Sequence, residues 1–394
     1  MREEQMERRI EPLLNDEYTG LPTKRAIAYL QSKREKGSRI VGAYCGYAPL
    51  EIIRAMNAAP AVLCAYAHST IETAETVLPS NLCPLIKSSY GFILKDTCPF
   101  FSISDAVVGE TTCDGKKKMF ELISGDKPLF VMDLPQLPDE REAEQNWTVM
   151  LRKFISFLEK TFGTKIEDDA IEAEIKETNR KNVMMDEVFS YARHHPPLIS
   201  WEEAYDLILL AQLARASEIE ELVNAILAKL EERKGKGISH GPEDAPRVLV
   251  TGCPVGGDST KVFRIIEEAG GRIVALDACS GMKCFSGRIE EDTDDPVAAL
   301  SRKYLKIPCS CMTPNSGRLT AMDGLIEGFR PDAVIEVVLH ACHTYNIESH
   351  KIGQYVRSRH GLPYLKIVTD YSTGDVEQIR TRTEALLESI RQSA

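Results

Sequence analysis

No stretch of this sequence approaches the run of roughly 20 apolar residues that spans a bilayer. Nothing at the start reads as an apolar leader either. MREEQMERRI is charged where a signal peptide is hydrophobic. The expectation is a cytoplasmic protein with no membrane partner. Positive charge is in deficit: 48 Lys and Arg stand against 59 Asp and Glu, a net charge of −11. That balance argues against nucleic acid and anionic lipid as main partners. The CxxC knuckles of structural zinc are missing too. The only close pairs are Cys309-x-Cys311 and Cys279-x4-Cys284.

What is present in quantity is cysteine, 11 in 394 residues. In a reducing compartment these are not expected to form disulfides, and an odd count leaves at least one unpaired. Buried packing, metal ligation and redox chemistry remain, and position decides between them. The rest of the composition, 43% hydrophobic and 27% charged, is that of a soluble globular chain with room for two or three domains.

Residues 2–37 read as two polar helices. Strands are expected at 39–44 (RIVGAY), 61–66 (AVLCAY), 106–109 (AVVG) and 128–134 (PLFVMDL), with helices at 49–58, 83–94 and 113–123. Segments 147–162, 168–193, 201–214 and 217–233 carry apolar residues at helical spacing. Ser200 with Glu203 fits a capping box, and KGKGISHGPEDAP over 234–246 is the clearest linker. A second set of strands follows at 247–251, 272–277, 333–339 and 364–369. Helices are expected at 259–269, 296–305, 317–329, 347–360 and 376–391. Such alternation with short links implies mostly parallel sheets. The expected fold class is α/β, with two parallel-sheet domains of Rossmann-like or flavodoxin-like kind and a helical region between them. The expected limits are 1–38 for N-terminal helices, 39–139 for the first α/β domain, 140–240 for the helical region and linker, and 241–394 for the second α/β domain.

Cys45, Cys113, Cys279 and Cys342 each follow a predicted strand. Cys83 directly precedes a Pro-initiated helix, and Cys309 and Cys311 lie in the loop IPCSCMTPN. The C-terminal ends of parallel strands share one edge, where ligands bind, and helix N-termini that favour thiolates converge there. Scattered single cysteines at such places suit an iron–sulfur cluster, whose usual ligands are thiolates. Cys64, read as mid-strand, and Cys98 fit packing roles. Cys253 in TGCPVGG stays open.

The segments AYCGYAPLEII, NLCPLIKSSYG, the Cys113 loop, DPVAALSRKYLKIPCSCMTPN, HACHTYNIES and YLKIVTDYS occur in one order along the chain. Together they resemble the 2-hydroxyacyl-CoA dehydratase / benzoyl-CoA reductase family, and most of all its double-cubane-cluster branch of anaerobic reductases. The resemblance implies two α/β domains and a helical region per subunit, as a homodimer. It implies a double-cubane [Fe8S9] cluster, two [4Fe–4S] cubanes bridged by sulfide, with six thiolate ligands. Cys83, Cys113 and Cys342 correspond to the ligands of the single [4Fe–4S] cluster in the dehydratase branch. Cys45, Cys279 and Cys309 are assigned to the second cubane, with Cys284 and Cys311 as alternates. The resemblance also implies a separate homodimeric iron–sulfur ATPase as activator and a small-molecule substrate. The alternatives are a subunit of a 2-hydroxyacyl-CoA dehydratase with one [4Fe–4S] cluster, and a non-catalytic low-potential electron carrier.

His340 and His343 flank Cys342 and are candidate proton donors. Tyr345 and Glu348 are candidate supporting groups. His194 and His195 at a helix end read as structural. Lys116, Lys117 and Lys118 read as a solvated helix face. TGCPVGGDSTK over 251–261 matches neither nucleotide-binding fingerprint, so a plain strand-to-helix turn is expected there.

Overall fold

Runs rich in Val, Ile and Ala become strands here because helices cover both of their faces. The structure, a computed structural model, describes Leu13 and residues 22–393. The first sheet contains β1 (Ile40–Ala43), β2 (Ala59–Val62), β3 (Ala106–Glu110) and β4 (Leu129–Met132). All are parallel, in the order β2-β1-β3-β4. The second contains β5 (Arg247–Gly252), β6 (Arg272–Asp277), β7 (Ala333–Leu339) and β8 (Tyr364–Thr369). It is also parallel and repeats the pattern as β6-β5-β7-β8. The interior strands β1, β3, β5 and β7 are buried along their whole length. The sequence is thus an α/β protein with two parallel-sheet units of one topology.

Helix α1 (Pro22–Glu35) is one of the two polar helices expected over 2–37; the stretch expected to hold the other lies outside the described residues. Around the first sheet run α2 (Leu50–Ala55), α3 (Ile71–Ala74), α4 (Pro84–Leu94), α5 (Pro99–Ile103) and α6 (Asp114–Ile123). The expected helical stretch follows as α7 (Ala143–Phe162), α8 (Asp168–Ser190), α9 (Trp201–Leu213) and α10 (Ala216–Gly235). Interleaved with the second set of strands come α11 (Lys261–Glu268), α12 (Pro296–Leu305), α13 (Ser316–Phe329), α14 (His343–His360) and α15 (Val376–Ser393), of which α12 leaves the second sheet. The capping box is present. Glu203 N–H donates to Ser200 Oγ at 3.2 Å, and Ser200 N–H donates back to the Glu203 carboxylate at 3.0 Å. Among the described residues no helix is long and apolar enough to cross a membrane.

Among the boundaries that differ from expectation, two bear on cysteines. Strand β2 starts at Ala59, because Ala59 and Pro60 pair in register with Ile40 and Val41. Pro60 is tolerated because β2 is an edge strand. The strand therefore ends at Val62, and Cys64 lies beyond it rather than in its middle. Helix α14 begins four residues earlier than expected, at His343, which puts Cys342 at its N-cap.

In each sheet the chain order reverses between the two central strands, β1 and β3 or β5 and β7. That reversal opens a crevice at their C-terminal ends. At one such end Gly252 has φ +121°, and a Cβ there would lie 2.1 Å from the Val337 carbonyl oxygen. Only glycine lets the chain turn this tightly out of β5 into Cys253.

Packing ties the two units together. Trp147, Leu151, Phe154 and Leu158 form one face of α7 and pack against Val41 and Ile52 of the first unit. Val297 and Leu300 of α12 join the same core, although α12 follows β6 in the chain. Tyr47 Oη donates to the Ile307 carbonyl at 3.0 Å, and Tyr304 Oη to Glu51 at 2.8 Å. These contacts carry the loop after α12 across to the end of β1. Below that loop Arg318, fully buried, donates to buried Glu336 at 2.8 Å and pairs with Glu348. Asn315 Nδ2 links Glu348, at 2.7 Å, to the Cys309 carbonyl, at 3.0 Å. Removing one partner of a buried pair strands the other charge. Arg318→Met is expected to cost about 3–5 kcal/mol in denaturant unfolding of the full chain.

Candidate functional site

The C-terminal edges of both sheets open onto one cavity of about 760 Å³. Ten of the eleven cysteines line it: Cys45, Cys64, Cys83, Cys113, Cys253, Cys279, Cys284, Cys309, Cys311 and Cys342. Only Cys98 stays apart. It is buried at the start of α5, where its sulfur accepts the Phe101 N–H at 3.3 Å.

Three of the predicted ligands occupy helix N-caps. Cys83 caps α4, Cys113 caps α6 and Cys342 caps α14. Cys113 Sγ accepts the Lys116 N–H at 3.4 Å. The helix N-terminus offers free N–H groups and partial positive charge to a thiolate. Burial nevertheless pushes the Cys83 thiol up to about 12, and the neighbouring Cys342 and Cys113 sulfurs add to the rise. Cys113 is the exposed member of this trio. Cys342 moves the other way, because the buried Cys253 thiol donates a hydrogen bond to it. Cys253 in turn has its sulfur placed by the Leu339 N–H, at 3.4 Å.

The other three predicted ligands, Cys45, Cys279 and Cys309, lie on turns. Burial raises Cys45 well above the ordinary thiol range, and takes Cys279 up to about 12. Cys309 moves down and Cys311 up, because the two adjacent thiols interact, and Cys311 Sγ also lies 4.0 Å from Tyr47 Oη. Each group of three thus contains one thiol that a neighbouring spare cysteine holds low. Cys284 is exposed, and Gln212 Nε2 donates to its sulfur at 3.3 Å. Cys64, expected to pack inside a strand, faces the cavity instead and donates to the Tyr44 carbonyl at 3.0 Å.

Residues not singled out in the sequence complete the wall. Lys116, expected on a solvated face, turns into the cavity and pairs with fully buried Glu110; Lys117 and Lys118 are solvated as expected. Lys283 is buried 3.5 Å from Asp277, and among the described residues its ammonium has no hydrogen-bond partner. The Tyr345 ring lies over the Arg318 guanidinium at 4.9 Å, and its buried hydroxyl is likewise unpartnered. The available signal was spacing: three residues from Cys113 to Lys116 and from Cys342 to Tyr345, four from Cys279 to Lys283. His340 and His343 are exposed and do not line the cavity, whereas Thr344 and Tyr345 do. Between them Ala341 sits at φ +58°, a left-handed conformation that turns the chain from β7 into α14. Several amides of TGCPVGGDSTK are already spent. Val255 N–H bonds Ser280 Oγ, Gly256 N–H bonds Ser259 Oγ, and Asp258 N–H bonds the Tyr66 carbonyl.

This donor set fits an iron–sulfur group. The candidates are thiols, soft ligands on three helix N-termini and three turns around one cavity. Among the described residues no three His, Cys, Asp or Glu side chains close on a single ion; the sulfurs surround a volume instead.

Residues 45–390 match the family described as 2-hydroxyglutaryl-CoA dehydratase, D-component. The chain is 41% identical to YjiM of Escherichia coli (strain K12), named as a dehydratase subunit, over 91% of this chain and 93% of that one. It is 22% identical to the beta subunit of (R)-2-hydroxyglutaryl-CoA dehydratase of Acidaminococcus fermentans, over 92% and 95%. It is also 22% identical to a benzoyl-CoA reductase subunit of Thauera aromatica, over 92% and 93%.

The thiol ordering is open to measurement on metal-stripped, anaerobically reduced protein. Cys309 is expected to react with iodoacetamide at lower pH than Cys45, Cys83 and Cys279, whose thiols burial holds up. Peptide mapping across pH checks this.

Proposed function

Because this chain belongs to the 2-hydroxyglutaryl-CoA dehydratase D-component family, we propose that it is an iron–sulfur reductase with a double-cubane [Fe8S9] cluster in its cysteine-lined cavity. The observation that carries the reading is the convergence of ten thiols on one space between the two sheets. In this reading Cys83, Cys113 and Cys342 hold one cubane, and Cys45, Cys279 and Cys309 the other. Cys253 and Cys311 then hold one ligand thiol of each trio low. A single [4Fe–4S] cluster on the first trio leaves the second trio on the same wall without a task.

When bound, the cluster supplies low-potential electrons to a small-molecule substrate. The chain's own part is to bind, to enclose and to deliver protons. Tyr44, Tyr66, Tyr205 and Tyr345 wall the cavity with aromatic surface that keeps bulk water out. Protons enter at the first turn of α14. His340 and His343 exchange them with solvent at its exposed start, and the Tyr345 hydroxyl offers a donor inside. Adding charge to a buried, thiolate-rich site is uphill. The electron source is therefore proposed to be a separate homodimeric iron–sulfur ATPase, which couples transfer to ATP hydrolysis. The chain itself is proposed to act as a cytoplasmic homodimer.

Iron and sulfide analysis of anaerobically purified protein tests the reading. About eight irons per chain, the content of two cubanes, are expected, and about four overturn it. Cys279→Ala is expected to lower the count, and Cys98→Ala to leave it unchanged.

A further inference from the structure

The cysteines occupy only part of the cavity wall. Another stretch comes from α2, α8, α12 and the loop before α12, and its contacts close into a ring. Lys303 Nζ donates to the Ser286 carbonyl, and Asn182 Nδ2 donates to the adjacent Gly287 carbonyl at 3.1 Å. One turn earlier on α8, Thr178 Oγ1 donates to Glu51 at 2.8 Å. Tyr304, next to Lys303, donates to the other Glu51 oxygen at 2.8 Å.

Positive charge is in excess here. Arg54, Lys181 and Lys303 share this wall with a single carboxylate, Glu51, whose oxygens are taken by the two hydroxyls. Among the described residues none of the three cations forms a salt bridge. Arg54 donates to the Gln212 and Leu213 carbonyls at 2.9 and 3.1 Å, and Lys181 to that of Ala214 at 2.6 Å. These carbonyls end α9, and a helix C-terminus is worth about half a negative charge. Together with Glu51 it leaves an excess of about one positive charge. Arg54 and Lys181 are only 3% and 4% exposed, so water does little to screen them. Arg54 Nε and Asn182 Oδ1 are also buried without a hydrogen-bond partner among the described residues, and such groups call for an explanation.

A smaller hollow of about 140 Å³ adjoins the cavity, and Lys303 and Ile307 stand in the wall of both. Arg288 and Lys306, both exposed, line it. Its remaining cation, Arg302, is held by Glu290 and Glu144. Positive charge thus leads from the surface to Lys303, on a chain whose net charge is −11.

We propose that this wall binds a small carboxylate anion, which enters past Arg288 and Lys306 and is gripped by the Lys303 ammonium. An excess of about one charge suits a monoanion better than a doubly charged phosphate. The site adjoins the thiols, because Gln212 Nε2 donates to the Cys279 carbonyl at 3.1 Å and to Cys284 Sγ at 3.3 Å. That the bound carboxylate is the molecule reduced rests on the reductase reading above; its binding does not.

Titration calorimetry on the anaerobically purified protein tests the site, with propionate, its neutral isostere propionamide, inorganic phosphate and coenzyme A as probes. Propionate is expected to bind, and propionamide to bind about tenfold more weakly or not at all, the loss of one charged hydrogen bond. Lys303→Met is expected to weaken propionate by about the same factor and Lys303→Arg to restore it. Arg288→Gln, on the exposed rim, is expected to weaken binding at low salt and to matter little at high salt. Equal binding of acid and amide, no binding of propionate, tighter binding of phosphate, or competition by coenzyme A overturns the inference. So does unweakened binding by a folded Lys303→Met. Thermal melting shows whether that variant folds; if it does not, Arg288→Gln decides. Iron is counted separately. About four irons per chain removes the double-cubane reading, and the calorimetry still decides the anion site.

Discussion

Gathering negative sulfur in a buried space is an electrostatic problem before it is a chemical one. Thiolates and the groups they bind lose hydration there and repel one another. The upward shifts of Cys45, Cys83 and Cys279 are that cost in the folded chain. Most of the architecture can be understood as an answer to it. Two parallel sheets turn their C-terminal edges to one cavity, which brings α4, α6 and α14 to point their N-termini inward. The positive ends of helices are the one charge source that a parallel α/β fold supplies without any special residue.

Duplication of topology makes this arrangement possible. Both units read 2-1-3-4 across the sheet, so both have a crevice between their first and third strands. Cys45 and Cys113 flank one crevice, and Cys253 and Cys342 flank the other. The family match spans both units and the helices between them. The dehydratase and reductase subunits similar to this chain also align over more than nine-tenths of its length.

The sheets were legible because period and punctuation coincide: β6, β7 and β8 occupy the residues their patterns indicate. The edge strand β2 was not, because Pro60 argues against a strand locally while pairing with β1 overrides it. That slip moved Cys64 from a packing position to the cavity wall. The six ligand candidates were legible as positions after strands and before helices. Their surroundings were not. Nothing in GKKK says that the first lysine turns inward to buried Glu110 while the next two face water. The pairing of Cys253 with Cys342 joins residues 89 apart in the chain and exists only once β5 and β7 are adjacent. The short helices α3 and α5 are held by neighbours and carry too few residues to show a period.

The crossing of α12 into the first unit has a consequence for the order in which the molecule can be made. Trp147 and Ile52 share their core with Val297 and Leu300, so that core stays open until the chain has grown past residue 300. Cys45 therefore emerges from the ribosome long before the loop that will bring Cys309 to it. A growing chain cannot fold its N-terminal third into a finished unit and move on. Cys45 waits for a partner segment more than 250 residues downstream. A group held by both sets of cysteines, as proposed, is therefore completed only after the chain has grown past Cys309.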